Sequence, residues 1–137
     1  MTCWNSILTK YDQTRRLSSV TIVNSKGDKV DFSSGSIKLK SVICKSKKDL
    51  KTIAILVSNC STHYEISSRG YPLKEYSPLF TFELNLAANE EKVFSIEDSS
   101  ECIKVCEIEE LTFQLITLEK KKIDVDNLQV HLFYHMK

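Results

Sequence analysis

Apolar residues in this chain recur at every second position, the spacing that gathers them on one face of an extended strand. Ile37, Leu39 and Ile43 are apolar, while Lys38 and Lys40 point the other way. Phe80, Phe82, Leu84 and Leu86 alternate with Thr81, Glu83 and Asn85, and Leu111, Phe113 and Leu115 alternate with Thr112 and Gln114. Leu128, Val130, Leu132 and Tyr134 alternate in the same way with Gln129, His131 and Phe133. Thr52 to Ser58 differs, being apolar on both faces and rich in β-branched residues, which reads as a central strand. Shorter strands are expected over Cys3 to Thr9, Val20 to Val23, Lys29 to Phe32, His63 to Ile66, Lys92 to Ile96 and Cys102 to Ile108. Asn24-Ser25-Lys26-Gly27-Asp28, Ser33-Ser34-Gly35, Arg69-Gly70-Tyr71-Pro72 and Ser77-Pro78 supply the turn chemistry between them. No stretch keeps a helical period for the length of a helix, and Leu86 to Lys92 has room for one turn. About ten short strands, spaced by about 8–12 residues, predict an all-β fold, an antiparallel sandwich or barrel.

Composition narrows the setting. The 137 residues suit a single domain spanning 1–137, with enough apolar content (42%) to build a core without staples. Three Gly and two Pro exclude a low-complexity or collagen-like chain. Nineteen basic against eighteen acidic residues leave a net charge of +1, so no bulk attraction to nucleic acid or membrane is expected. The longest apolar run, Ile53-Ala54-Ile55-Leu56-Val57, falls far short of the ~20 residues of a membrane helix. The opening Met1-Thr2-Cys3-Trp4-Asn5 has no leader pattern, and a soluble intracellular protein is expected. Cys3, Cys44, Cys60, Cys102 and Cys106 are odd in number and contain no CxxC pair, so they read as reduced thiols acting as small hydrophobes. Asn59-Cys60-Ser61 fits a glycosylation pattern that carries no weight without a leader.

Catalytic and metal chemistry find little purchase. His131 and His135 would share one face of a helix, but their surroundings read as strand, where they lie too far apart for one zinc. Cys102, Cys106 and His63 contain the residue types of a nucleophile and base, with nothing to bring them together. Phosphate loops, G-x-S-x-G and HExxH are absent. The expectation is no enzyme, no metal and no cofactor. Lys38, Lys40, Lys45, Lys47, Lys48 and Lys51 read first as the solvated face of an exposed hairpin, and Lys120-Lys121-Lys122 as a solvated turn. Glu97, Asp98, Glu101, Glu107, Glu109 and Glu110 form an acidic cluster able to receive basic partners, but it is diffuse and on charge alone reads as ordinary surface.

One family shares the arrangement. Ile37 to Leu50, with Lys48-Asp49 closing its loop and Ile53-Ala54-Ile55-Leu56-Val57 following, resembles the nucleoplasmin core. Trp4 lies where that family opens its first strand with an aromatic residue, and Asn5 stands where it has Gly. Phe82-Glu83-Leu84 and Val93-Phe94-Ser95-Ile96 resemble its penultimate strands, and Ser100 to Cys106 takes the place of its final one. The resemblance covers residues 3–108 and leaves 109–137 as an extension with room for two strands, Leu111 to Leu118 and Asn127 to His135. It implies an eight-stranded jelly roll that assembles with copies of itself into a pentamer or decamer and chaperones histones in the nucleus, with the cytoplasm as the other location. Lys48 and Asp49 would then help two rings stack.

Three functions follow as expectations. The first is a non-enzymatic oligomer that binds histones or other basic proteins through Glu97, Asp98, Glu101, Glu107, Glu109 and Glu110, multiplied around a ring, and meets nucleic acid only indirectly. The second is a structural jelly roll that contacts only copies of itself. The third is a nucleic-acid-binding β-module using Lys38 to Lys51, with Tyr64, Tyr71 and Tyr76 as stacking partners.

Overall fold

A computed structural model describes residues 4–21, 26, 35–59, 77–96, 103–105 and 110–135. The strands expected over Lys29 to Phe32 and His63 to Ile66 lie outside the described residues, as do Tyr64, Tyr71 and Tyr76. Ten strands are described, and all their pairings are antiparallel. They are β1 (Asn5–Leu8), β2 (Lys10–Asp12), β3 (Leu17–Thr21), β4 (Gly35–Lys45), β5 (Leu50–Ser58), β6 (Ser77–Leu86), β7 (Glu91–Ser95), β8 (Ile103–Val105), β9 (Glu110–Ile116) and β10 (Asn127–His135). One sheet has the order β1-β10-β4-β7, with β8 also on β4; the other has the order β2-β3-β9-β5-β6.

The two sheets form a β-sandwich around one apolar core. Ile37, Leu39, Val42 and Cys44 of β4 and Leu128, Val130 and Leu132 of β10 meet Ala54 and Leu56 of β5, Leu84 and Leu86 of β6, and Leu111, Phe113 and Leu115 of β9. Thr52 to Ser58 lies in a central strand as its two-sided apolar pattern predicts, since β5 lies between β9 and β6. Leu86 to Lys92 forms no helical turn: it is a tight reversal in which Glu90 N–H donates to Ala87 C=O and Asn89 takes the left-handed backbone that Asn tolerates.

The pairing is nested. β1 pairs with β10, β3 with β9, β4 with β7 and β5 with β6, so early strands meet late ones as in one long ribbon folded back on itself. β10 then joins β4, and β9 joins β5, rolling the ribbon into two sheets. The stretch 110–135 therefore supplies a central strand to each sheet, while β8, within Cys102 to Ile108, is a short edge strand.

β1 and β2 are one strand bent across both sheets, and Thr9 is the corner. Its backbone N–H donates to Val130 C=O at 3.1 Å, and its Oγ1 accepts from Val130 N–H at 2.8 Å. Gln129 Nε2 donates to Thr9 C=O, and the Thr9 and Ser18 hydroxyls hydrogen-bond to each other in a site closed to solvent. These bonds satisfy the backbone where the ladder changes sheets, a place where a buried orphan would be costly.

One phase change separates the structure from simple alternation. In β4 a bulge opposite His131/Leu132 adds a residue, so Val42 and Cys44 turn inward and Ile43 faces out. The expectation that Ile43 shares the face of Ile37 and Leu39 is corrected by that extra residue. The lysine-rich loop after β4 is not a hairpin turn either, because β4 and β5 belong to different sheets.

Cys44 is fully buried, and its burial pushes the thiol from its ordinary value near 9 up to about 12. The folded chain thus keeps a proton that the unfolded chain releases above pH 9, so the contribution is whole below pH 9 and is lost as pH rises towards 12. Stability should fall by up to about 1.4 kcal/mol per pH unit across that window. Urea unfolding at stepped pH should show the slope, and Cys44→Val should flatten it.

Candidate functional site

Of the six acidic residues singled out in the sequence, Glu110 is described; Glu97, Asp98, Glu101, Glu107 and Glu109 lie outside the described residues. Glu110 opens β9 opposite Thr21, at the end of β3 away from the β2–β3 turn, and is reached by a side chain of that turn. That turn is built by Asp12, whose Oδ1 accepts from the backbone N–H of Thr14 and Arg15. Arg15 Nε donates to Asp12 Oδ2 at 2.8 Å, and its terminal nitrogens reach Glu110 Oε1 at 3.4 Å. The hydrogen bond from the Arg15 side chain holds the Asp12 carboxyl below its ordinary value. All three side chains are substantially exposed, so the pairs order the turn more than they stabilise the fold.

Lys48 and Asp49 stand exposed in the loop that crosses from one sheet to the other. The loop is fastened on two sides. Asp49 Oδ1 accepts from Ala88 N–H at 2.8 Å, and Asn89 N–H donates to Ser46 C=O at 2.7 Å. Lys47 N–H donates to Asp126 Oδ2, and Asp126 N–H donates to Lys45 C=O. Asp49 is therefore occupied in holding its own loop, and Lys48 projects from a fixed backbone.

A surface that the sequence did not single out lies on the outer face of the β1-β10-β4-β7 sheet. Register places Leu8 beside His131, Ser6 beside Phe133, and Phe133 beside Lys38. His131 Nε2 lies 2.6 Å from Ser6 Oγ, His131 packs on Phe133, and His135 packs on Trp4. The Lys38 ammonium sits 4.6 Å from the centre of the Trp4 ring, and that of Lys40 sits 5.4 Å from the Phe133 ring. Leu8 and Val93, 49% and 56% exposed, add apolar area at its two edges. The signal in the sequence was Phe133, a large aromatic on the polar side of the β10 alternation, together with the single Trp4.

On the outer side of the other sheet, Ile53, Glu83 and Asn85 of β5 and β6 are exposed, and the stretch over β9 is covered. Leu17, Val57, Thr112, Gln114 and Ile116 are buried there, outside the main core. Asn59 extends the ladder at the end of β9, donating from Nδ2 to Glu110 C=O and accepting at Oδ1 from Thr112 N–H. Gln114 Oε1 is buried with no hydrogen-bond partner among the described residues.

Chemistry-bearing residues do not converge among the described residues. No group of three or more His, Cys, Asp or Glu is placed to hold a metal. His131 and His135 lie on one face of β10, four positions apart on an extended strand, which separates their Cα atoms by roughly 13 Å. Cys102, Cys106 and His63 lie outside the described residues. Two open clefts are found among the described residues, one of about 370 Å³ beside Lys10, Tyr11, Asp12, Gln13 and Ser19 and one of about 280 Å³ beside Lys51, Ile53 and Glu83. No helix among the described residues is long and apolar enough to cross a membrane.

The fold and its surfaces define an antiparallel β-sandwich whose features, among the described residues, are faces and edges. No family model, curated protein or solved structure matches the chain.

Proposed function

We propose that this chain is a nucleoplasmin-like jelly-roll protomer that acts without catalysis, assembling with its own copies into a ring in the nucleus and binding histones or other basic proteins. The observation that carries the reading is the nested pairing of β1 with β10, β3 with β9, β4 with β7 and β5 with β6. Rolling one antiparallel ribbon of eight strands produces that set, and this is how a jelly roll arises. On this reading β10 closes the roll, not Ser100 to Cys106, and 110–135 belongs to the eight-stranded body. Trp4, next to β1, keeps the place of the family's opening aromatic. A ring closes through a heterologous contact repeated around an axis. The fixed loop bearing Lys48 and Asp49 is a suitable platform for stacking two rings.

A second reading, self-assembly without histone binding, is favoured by Glu110, whose carboxylate is already engaged by Arg15. One experiment tests both: light scattering of the chain alone and mixed with histones, at low and high salt. The ring predicts five or ten times the 15.7 kDa protomer mass, and the chaperone reading adds a salt-sensitive increment with histones. A ring that ignores histones leaves the second reading, and a 15.7 kDa monomer removes both.

A further inference from the structure

We propose that the outer face of the β1-β10-β4-β7 sheet is a binding platform for single-stranded nucleic acid, contacted directly by this chain and independently of any ring. The face combines two residue classes in one place. Lys38, Lys40 and Lys45 of β4 supply ammonium groups, and Trp4, Phe133, His131 and His135 supply planar rings along β10 and next to β1. None of the three lysines forms an ion pair with a described carboxylate. Glu91, opposite Lys45 at the β7 edge, is the one acidic residue that the described strands place on this face. The face is therefore cationic on a chain that is nearly neutral overall, which is charge complementarity to a polyanion.

Geometry selects the kind of polyanion. His131, Phe133 and His135 repeat every second residue, so their Cα atoms lie about 6.7 Å apart along the strand. That is about twice the 3.4 Å rise between stacked bases in one strand of a duplex, so the rings match bases that have been splayed apart. A duplex hides its base faces, whereas a single strand lays them on a flat platform while its phosphates follow the cations. Lys38 over Trp4 and Lys40 over Phe133 hold their charge beside each ring, where the phosphate of a base-stacked nucleotide would lie. On binding, each ring exchanges an ammonium neighbour for a base, and each ammonium moves to a phosphate. An acidic polypeptide could use the lysines but would leave the rings idle.

Trp4 is the single tryptophan of the chain and lies on the platform, so its fluorescence reports binding without a label. The full chain is titrated with a 20-nucleotide oligothymidylate and, separately, with poly-glutamate over a range of salt. Expected results are quenching by the oligonucleotide and an affinity that falls with salt. In Lys38→Gln/Lys40→Gln the log–log salt slope should shrink by about 1.4, at about 0.7 for each phosphate no longer neutralised. Phe133→Leu should weaken binding roughly tenfold or more by removing a stacking ring while leaving the salt slope in place. Lys121→Gln/Lys122→Gln, in the exposed β9–β10 connection, should change neither quantity. Thermal unfolding of each variant, expected to stay cooperative, separates a binding defect from a folding defect. The proposal is overturned if the oligonucleotide fails to quench Trp4 at low salt. It is equally overturned if poly-glutamate binds as tightly and Phe133→Leu has no effect, which would make the face a simple cationic patch for acidic peptides.

Discussion

Truncating Phe113 to Ala should cost about 3–5 kcal/mol of unfolding free energy, the range for removing a fully buried aromatic side chain. Phe113 is 0% exposed and sits near the middle of β9, between β3 and β5, in the core shared by both sheets. Neighbours on two strands and across the sandwich cannot all close on the vacancy, so most of the removed volume remains as a cavity. A domain of this size has about 5–15 kcal/mol of stability in all. The substitution should therefore move the urea midpoint down by more than 1 M at an m-value of about 1–3 kcal/mol per M. Val93→Ala is the matched control: Val93 is 56% exposed and should shift stability by no more than about 0.5 kcal/mol. Protein concentration must be held fixed, because self-association adds to apparent stability. Equal effects at the two positions would contradict the burial described for Phe113.

Thr9→Val should be the costliest polar change, at roughly 2–4 kcal/mol, because it leaves two buried groups without partners at about 1–3 kcal/mol each. Those groups are the Val130 N–H and the Ser18 hydroxyl, both bonded to Thr9 Oγ1. Valine matches threonine in shape, so the loss comes from hydrogen bonding and not from packing. Adding Ser18→Ala to Thr9→Val removes one orphan and should recover part of the loss. A double-mutant cycle over the pair measures the coupling. Additive effects would mean that the Thr9–Ser18 bond contributes nothing to the corner. Thr9→Ser, which keeps the hydroxyl, should retain most of the stability.

How much of this was legible in the sequence depended on how local the cause was. The alternation of Leu128, Val130 and Leu132 read correctly as strand, with bounds that match β10, because burial on one side of a sheet imposes a period of two. The two-sided apolar run of Thr52 to Ser58 marked a central strand, because a strand inside a sheet can find apolar neighbours on both faces. Local pattern failed where the cause was a distant partner. The bulge in β4 answers a register shift on β10 that no residue near Lys40 announces, and it turned Ile43 outward. Thr112 and Gln114 read as the wet side of β9 but are buried, because both faces of that strand are covered. Thr9 looked like an unremarkable strand end, and only the approach of Val130 and Ser18 makes it a corner. The candidate surfaces divide in the same way. Lys38 and Lys40 stood out as charge, but their company of Trp4 and Phe133 exists only once β1, β10 and β4 lie side by side.

The position of β9 and β10 has a consequence for how the chain is made. Residues 110–135 provide the middle strand of one sheet and link β1 to β4 in the other, yet they leave the ribosome after every strand they join. Ser6 waits for His131, 125 positions away. Until then β3, β4 and β5 each expose an unsatisfied edge, and the apolar sides of two half-sheets have no cover, a state open to mispairing. At about 5–20 residues per second, translation of the stretch from β5 to β10 takes several seconds or longer. The apolar half-sheets stay uncovered for that interval, and the sandwich closes at its centre only once this region has been made.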